Sequence, residues 1–423
     1  VSQPTPARLS AYDRVCIGLG LAAGRLSRAT GRGGGGTVPG RVVLALRPKA
    51  LQTLTAHRPV LLVSGTNGKS TTTRLLTAAM GEEGSVLSNG DGGNLLGGLV
   101  GAFLADPRGT SPAVLEVDEV VLPAALAQTK PDVVVLLNLS RDQLDRVGEV
   151  ASHVDRWARA LAAHPAVHVV ANSDDPLIVS AVRTGRPADD RVTWVAAGSP
   201  WRSDSSLCPV CGHGWSLTAE PWGCSQCGLA APPSDWTLGA ERELIGSDGS
   251  VIPLQLSLPG RASAANAVMA AAAAHVVGVP VQLAIERARQ VRDIDGRYLR
   301  VQVRGREVQL LLAKNPAGWL EVLSELTTSA AGLVLGINAR TADGTDPSWL
   351  WDVPFEQLRG RRIVVFGERA LDLSVRLHYA DVEHVVEPDI RKALAVLDGV
   401  PVQLAANYTA FVAARLALRG AAA

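Results

Sequence analysis

Val60-Leu-Leu-Val-Ser-Gly-Thr-Asn-Gly-Lys-Ser-Thr-Thr-Thr73 reads as a short apolar strand, a glycine turn and the opening of a helix. Gly65 and Gly68 let the backbone turn so that successive N–H groups point inward. Lys69, Ser70 and Thr71 bring a positive charge and two hydroxyls to a helix N-terminus whose dipole favours an anion. The combination is a cradle for nucleotide phosphates with a magnesium ligand attached. A full P-loop would place a glycine five residues before Gly68, where this chain has Val63, so the match is to a shortened loop. Thr66, Asn67, Gly68, Lys69, Ser70 and Thr71 are the nucleotide-binding residues this pattern predicts. The bland alternative is a serine-rich strand-to-helix turn, which leaves the order of strand, glycines, lysine and hydroxyls unexplained.

Outward from this loop the chain alternates strands and helices, with further Val and Leu runs at Ala113 to Val117 and Val133 to Leu137. Such near-continuous apolar runs suit a parallel sheet covered on both faces, so the first domain is predicted to be α/β. Acidic and amide residues follow these strands: Glu116, Asp118 and Glu119, then Asn138, Asp142 and Asp145, then Asn172 to Asp175. Each group alone reads equally well as a helix cap or loop polarity. Together, at strand C-termini where open α/β sheets bind ligands, they predict an active-site rim. Glu116 is the candidate for holding Mg2+ beside Ser70, because magnesium prefers a few hard oxygens plus substrate phosphates.

The 423 residues allow two or three domains. A formal net charge of +1 gives no support to a nucleic-acid partner, and no run of about 18 apolar residues marks a membrane span. Val15 to Gly24 is apolar enough to resemble the core of a signal peptide. Tyr12, Val15, Leu19, Ala22 and Leu26 recur at helical spacing, however, with Arg14 and Arg25 on the polar side, which predicts an amphipathic helix. Gly31 to Gly40 then reads as a linker. A nucleotide site and closely paired cysteines point to a reducing cytoplasm.

Cys208-Pro-Val-Cys211 and Cys224-Ser-Gln-Cys227 are two knuckles, each able to aim two thiolates at one ion, and four thiolates satisfy tetrahedral Zn2+. A redox or disulfide pair is the competing reading of the same residues. With four sulfur ligands no position stays open, so the metal is expected to be structural and the segment 205–230 a small ribbon inserted in the α/β domain. Beyond it, Leu256 to Asn266 leads into an alanine-rich helix, and Asp293 to Tyr298 reads as a turn between domains, with Arg297 placed to reach back towards the phosphates.

A second alternating pattern has strands at Val308 to Leu312, Gly332 to Ile337 and Arg362 to Phe366, and helices around Glu321, Ala370 and Lys392. It predicts a smaller Rossmann-like domain with no glycine fingerprint of its own. The expected division is an N-terminal helix and linker over 1–40, a nucleotide-binding domain over 41–295, and this last domain over 296–423. Asn338 to Asp352 within it carries Asp343, Asp346 and Asp352 beside two tryptophans, and reads either as a surface loop or as a functional one.

Gly65 to Thr71, Glu116, Asn138, Asp142, Asp145, Asn172 to Asp175, Asn266, Gly296 and Arg297 together resemble the nucleotide-binding core of the Mur ligases and folylpolyglutamate synthases. The cysteine ribbon, Leu312 to Gly318 and Asp343 to Asp352 resemble more specifically the amidating branch of the Mur ligases. The likeness covers nearly the whole chain. It implies an ATP-dependent enzyme with Mg2+ that phosphorylates the α-carboxyl of D-glutamate in the lipid II stem peptide. Ammonia, supplied by a separate glutaminase subunit in a heterodimer, then gives D-isoglutamine at the cytoplasmic face of the membrane. Asn266 and Arg297 are assigned to the nucleotide, and Asp346 matches the position that reaches across to the glutaminase.

Two departures bear on this. Gln143 stands where Mur ligases commonly have histidine, and Gly260-Arg-Ala-Ser263 replaces their glycine-x-histidine-asparagine, which leaves open how adenine is held. Four cysteines are claimed by metal and Cys16 lies on the N-terminal helix, so this chain is not expected to make its own ammonia. Two rivals stand beside this reading: a ligase that joins an amino acid to a carboxylate, and a zinc-ribbon nucleic-acid-binding ATPase, which near-neutral charge disfavours.

Overall fold

The computed structural model describes residues 9–30, 37–82, 84–90, 93–141, 150–186, 188, 191–198, 203–215, 221–292, 298–303, 305–326, 332–397 and 400–419. Two compact units divide the chain, residues 1–139 with 150–292 and residues 140–149 with 293–423. Arg297, Asp142, Gln143 and Asp145 lie outside the described residues.

The phosphate-loop strand β1 (Val60–Ser64) sits inside the sheet of the first unit, between β3 (Ala113–Glu116) and β4 (Val133–Leu136), and pairs with both in parallel. All three are buried along their whole length, which is why their sequences show no polar alternation. Among the described residues the sheet also holds β2 (Leu87–Ser88), β5 (His168–Asn172), β6 (Val192–Ala196), β7 (Trp236–Leu238), β8 (Glu243–Gly246) and β9 (Val251–Pro253). The order is β2-β3-β1-β4-β5-β6-β7-β8-β9. It is parallel as far as β7 and antiparallel through β8 and β9. Because chain order reverses around β1, the carboxyl ends of β1, β3 and β4 open a crevice at a topological switch point.

Helices α1 (Ala11–Ala29), α2 (Thr37–Leu46) and α3 (Ala50–Thr55) precede β1, and α4 (Lys69–Met80) leaves it. The alanine-rich helix Gly260–Val276 lies against α4; Ala264, Ala267 and Ala270 to Ala274 are all buried, and such small side chains let the helix lie close. α1 is amphipathic, but the face it buries is not its apolar stripe. Cys16, Ile17, Gly20 and Gly24 turn inward, while Tyr12, Val15, Leu19 and Leu26 are exposed. The reason is steric. A Cβ at Gly20 would stand 2.6 Å from Val43 and one at Gly24 2.5 Å from Pro39, so only the glycine face can accept α2. α2 continues this close packing onto α5 (Leu96–Phe103): a Cβ on Gly40 would fall 1.8 Å from the carbonyl oxygen of Gly97.

The cysteine segment enters between β6 and β7 as two matching knuckles. The bridges Leu207 to Gly214 and Gly223 to Ala230 close them, and Gly212 and Gly228 turn at φ +72 and +75. Trp215 and Trp222 stack edge to face at 5.6 Å between the knuckles, and Trp222 joins the core of the unit.

In the second unit the strands are β10 (Tyr298–Val303), β11 (Arg306–Leu312), β12 (Gly332–Gly336), β13 (Ile363–Phe366), β14 (His384–Val386) and β15 (Val402–Ala406), in the order β10-β11-β15-β12-β13-β14. β10 and β11 form an antiparallel hairpin; the remaining pairings are parallel. β11, β12 and β13 are the three strands expected from the sequence. Helices Pro316–Leu326, Ala370–Tyr379, Ile390–Val396 and Tyr408–Arg419 accompany them, and apolar clusters form on two sides of the sheet.

Gly40→Ala is expected to lower stability by about 3 kcal/mol, because the new methyl meets backbone that cannot move aside. Gly18→Ala, with nothing within 4 Å of its Cβ, is expected to be neutral or to gain about 1 kcal/mol from helix propensity. Urea unfolding of the two variants checks this, and equal midpoints would contradict it.

Candidate active site

β1 delivers the chain to Gly65 at φ +144, and Gly68 turns it into α4 at φ +83. Both are backbone conformations that side chains resist. Space closes on them as well: a Cβ on Gly68 would lie 2.4 Å from Oδ1 of Asn266. The loop is pinned from the other side by Asn138, whose carbonyl accepts from Thr66 N at 2.9 Å and whose Oδ1 accepts from Asn67 N at 2.9 Å. Its Nδ2 donates to the carbonyl of Asn67 at 3.1 Å.

Lys69 is buried and donates through Nζ to the carbonyl oxygens of Gly65 and Thr66 at 2.5 and 3.1 Å and to Glu119 Oε2 at 2.9 Å. Burial works to raise the Glu119 carboxyl, but the charge and hydrogen bond of Lys69 prevail and hold it below its ordinary value. Trp157 Nε1 donates to the Glu119 carbonyl at 2.9 Å. Asp118, beside it, is raised by burial and by the Glu119 charge.

Ser70 Oγ donates to Glu116 Oε2 at 2.6 Å, which brings the two expected magnesium ligands together between the first turn of α4 and the end of β3. Glu116 is held further by two asparagines that sequence reasoning missed. Asn94 Nδ2 donates to Oε1 at 3.2 Å, and Asn89 exchanges two hydrogen bonds of 2.8 Å with the Glu116 backbone. Asn89 follows a strand of two residues, too short to show a pattern; its only trace in the sequence is an amide just past that strand. Asn266 Oδ1 accepts from Thr72 at 3.1 Å, against the outside of the loop. Thr71 is buried in the first turn of α4.

Asn172 to Asp175 prove to be fastenings. Asp175 Oδ1 caps the helix Pro176–Gly185 by accepting from Leu177 N and Ile178 N at 2.9 and 3.1 Å, while Oδ2 accepts from Leu139 N at 3.0 Å. Asn172 ties Leu137 to Gly198, and Asp174 accepts from Gly198 N at 2.6 Å. These side chains hold together the ends of β4, β5 and β6 and leave the rim to Glu116, Glu119 and Asn138.

The four cysteine sulfurs lie within 4.8 Å of one another, with Cys208 to Cys227 at 3.6 Å and Cys211 to Cys224 at 3.7 Å. A tetrahedron with metal–sulfur bonds of about 2.3 Å has edges of about 3.8 Å, so the cluster has the dimensions of a four-thiolate site. His213 stays outside it, and its carbonyl accepts from Cys208 N at 2.9 Å.

In the second unit the loop from Asn338 has a buried root and an exposed tip. Asp343 is buried and accepts from Thr409 N at 2.8 Å and from the Thr409 hydroxyl; Asn338 and Asn407 lace the two strand ends together. Asp346 is exposed, and its carboxylate accepts from Ser348 N at 2.8 Å and Ser348 Oγ at 2.9 Å at the start of the turn Ser348–Asp352. The loop thus separates Asp343, which fastens, from Asp346, which is presented outward.

Residues 63–195 match the Mur ligase middle domain and residues 312–411 the MurT ligase C-terminal domain. MurF ligase from Thermotoga maritima, solved in complex with ADP, superposes with a TM-score of 0.61 at 16% identity over 90% of this chain and 84% of its own. The fold is therefore that of the Mur ligases. Two relatives go further. The MurT subunit of lipid II isoglutaminyl synthase (glutamine-hydrolyzing) from Streptococcus pneumoniae R6 is 31% identical over 364 residues, 80% of this chain and 81% of its own. The subunit of that name from Staphylococcus aureus N315 is 29% identical over 413 residues, 90% and 91%. The chain belongs to the MurT family and is a ligase.

Burial pushes the Asp175 carboxyl up to about 6, against the three backbone N–H groups that favour its charged form. A folded value above the unfolded one means that the native state holds the extra proton, so this stability contribution is present below about pH 4 and lost as pH rises through about 6. Asp175→Asn keeps a capping oxygen and does not titrate. The wild type is expected to lose about 2 kcal/mol relative to this variant between pH 4 and pH 7. A difference that stays constant across that range, measured by urea unfolding, would contradict it.

Proposed function

We propose that this chain is the ligase subunit of a lipid II isoglutaminyl synthase. The coarser part of this statement, ATP-dependent ligation in peptidoglycan synthesis, follows from the family and the Mur ligase fold. The observation that carries the reading is the buried Lys69 at the mouth of a glycine loop, with Ser70 and Glu116 in contact beside it. In this reading Thr66, Asn67, Gly68, Lys69, Ser70 and Thr71 hold ATP, and Asn266 backs the loop on the side where the adenosine is expected, with Arg297 assigned to the nucleotide as well. Ser70 and Glu116 would hold Mg2+, which spreads charge away from the phosphates. Cys208, Cys211, Cys224 and Cys227 would hold a structural Zn2+ with no open position, contributing to folding alone.

Lys69 has its Nζ gathered by Gly65, Thr66 and Glu119, so the charge is already positioned in a water-poor site before substrate arrives. Positioned charge of this kind does not need to reorganise as the γ-phosphoryl group moves. The D-glutamate α-carboxylate of lipid II attacks the γ-phosphorus and ADP leaves. Ammonia then adds to the acyl phosphate carbonyl, and loss of phosphate gives D-isoglutamine. Lys69→Ala is expected to reduce turnover about a hundredfold or more; near-normal amidation by a folded variant would remove the assignment.

Ammonia would come from a GatD-type glutaminase in a heterodimer at the cytoplasmic membrane face, with Asp346, on the Rossmann-like last domain, completing that enzyme's Cys-His pair. A carboxylate on the far ring nitrogen fixes the tautomer of such a base. The exposed position of Asp346, against the buried, fully engaged Asp343, supports the choice between them. Asp346→Asn is expected to lose glutamine-driven amidation and to keep activity with ammonium chloride. Equal loss with both nitrogen sources, in a complex that still assembles, would move Asp346 to the ligase site; a product made with glutamate and not with ammonia would favour the rival reading of a ligase joining an amino acid.

A further inference from the structure

Among the described residues, the outer side of α1 is a strongly apolar surface that the functional reading leaves unused. Tyr12, Val15, Leu19 and Leu26 are 55%, 58%, 52% and 66% exposed, and Ala22 lies between them. At 3.6 residues per turn these five fall within an arc of about 80°. They form one continuous stripe along a helix of 19 residues, and Leu46, whose carbonyl accepts from the Tyr12 hydroxyl at 2.8 Å, extends it at one end. Among the described residues nothing covers it.

The charges on the rest of the exposed surface of α1 are all of one sign. Arg14 and Arg25 are exposed along one edge of the stripe, and Arg28 is exposed further round the helix. The only acid of the helix, Asp13, is buried and consumed internally, accepting from Ser10 and from Arg47 Nε at 2.9 Å. The bias extends beyond the helix. Eleven of the chain's 41 Lys and Arg fall in residues 1–81, where Asp13 is the single acid, although the net charge of the whole chain is only +1.

We propose that the outer face of α1 seats this protein on an anionic membrane surface, apolar stripe down among the acyl chains and arginines at the headgroups. An exposed apolar band bordered by cations is the arrangement that an interfacial helix requires. A second copy of the chain is the other occupant that the 12, 15, 19, 22, 26 spacing would fit. Pairing of that kind needs opposite charges beside the seam, and here the flanking charges are all positive, whereas anionic headgroups complement them. The inference goes beyond the proposed reaction and does not need it: it concerns the bare lipid surface, with or without a lipid-linked peptide.

Co-sedimentation of the full chain with sucrose-loaded vesicles tests it, using phosphatidylglycerol-containing and pure phosphatidylcholine vesicles that carry no peptidoglycan precursor. The wild type is expected to pellet with the anionic vesicles. Leu19→Glu/Leu26→Glu is expected to bind them about tenfold or more weakly. Arg14→Gln/Arg25→Gln is expected to lose about fivefold per arginine on anionic vesicles. All substituted positions are exposed, and unchanged unfolding midpoints confirm that the variants fold. Equal pelleting of wild type and both variants, or no wild-type binding to anionic vesicles, would overturn the proposal. So would a concentration-dependent dimer that Leu19→Glu/Leu26→Glu dissolves, which would give the stripe to a second copy.

Discussion

Everything at the site depends on a backbone turn that no side chain would permit. Between Ser64 and Lys69 the chain passes through positive φ at Gly65 and Gly68, with Asn266 pressed to within 2.4 Å of where a Cβ on Gly68 would stand. That turn carries Lys69 back over its own loop, so its ammonium meets the carbonyls of Gly65 and Thr66 and the carboxylate of Glu119. It also sets Ser70 on the first turn of α4, opposite the end of β3, within hydrogen-bond reach of Glu116. The sheet supplies the rest. β3 and β4 flank β1 in fixed register, so Glu116 and Asn138 arrive on either side of the loop without any contact between them in sequence.

A buried lysine is costly unless it is paired, and the structure meets that cost with Glu119. Glu119 is in turn kept ionised by Lys69 despite its own burial, so neither charge is stable there without the other. The pair explains why Glu119, which the sequence placed among several acids of a presumed rim, has a different role from Glu116. One neutralises the lysine. The other has its oxygens engaged by Ser70 and Asn94, at the position proposed for Mg2+.

What the sequence made legible was local chemistry. The glycine loop, the paired cysteines and the Val-rich strands each announce themselves within a few residues, and each is found in place. Features that depend on distant partners were not legible. Asp175 looked like part of a rim because its third hydrogen bond comes from Leu139, 36 residues away. Asn89 was hidden by the two-residue strand before it, and β10, β14 and β15 were passed over in the second unit. Nor was it legible which face of α1 would be buried, since the helical spacing marked an apolar stripe without saying what it packs on. Packing chose Gly20 and Gly24, because α2 comes too close for larger side chains, and the stripe was left outside.

In the proposed reaction this loop activates a carboxylate by phosphorylating it before nitrogen arrives. Lipid II with 18O at both oxygens of its D-glutamate α-carboxyl, supplied with ATP, Mg2+ and ammonium, tests this through the inorganic phosphate read by 31P NMR. An acyl phosphate route requires one 18O to pass from the carboxyl to phosphate for each amide formed. Phosphate free of label, alongside normal formation of D-isoglutamine, would contradict an acyl phosphate intermediate.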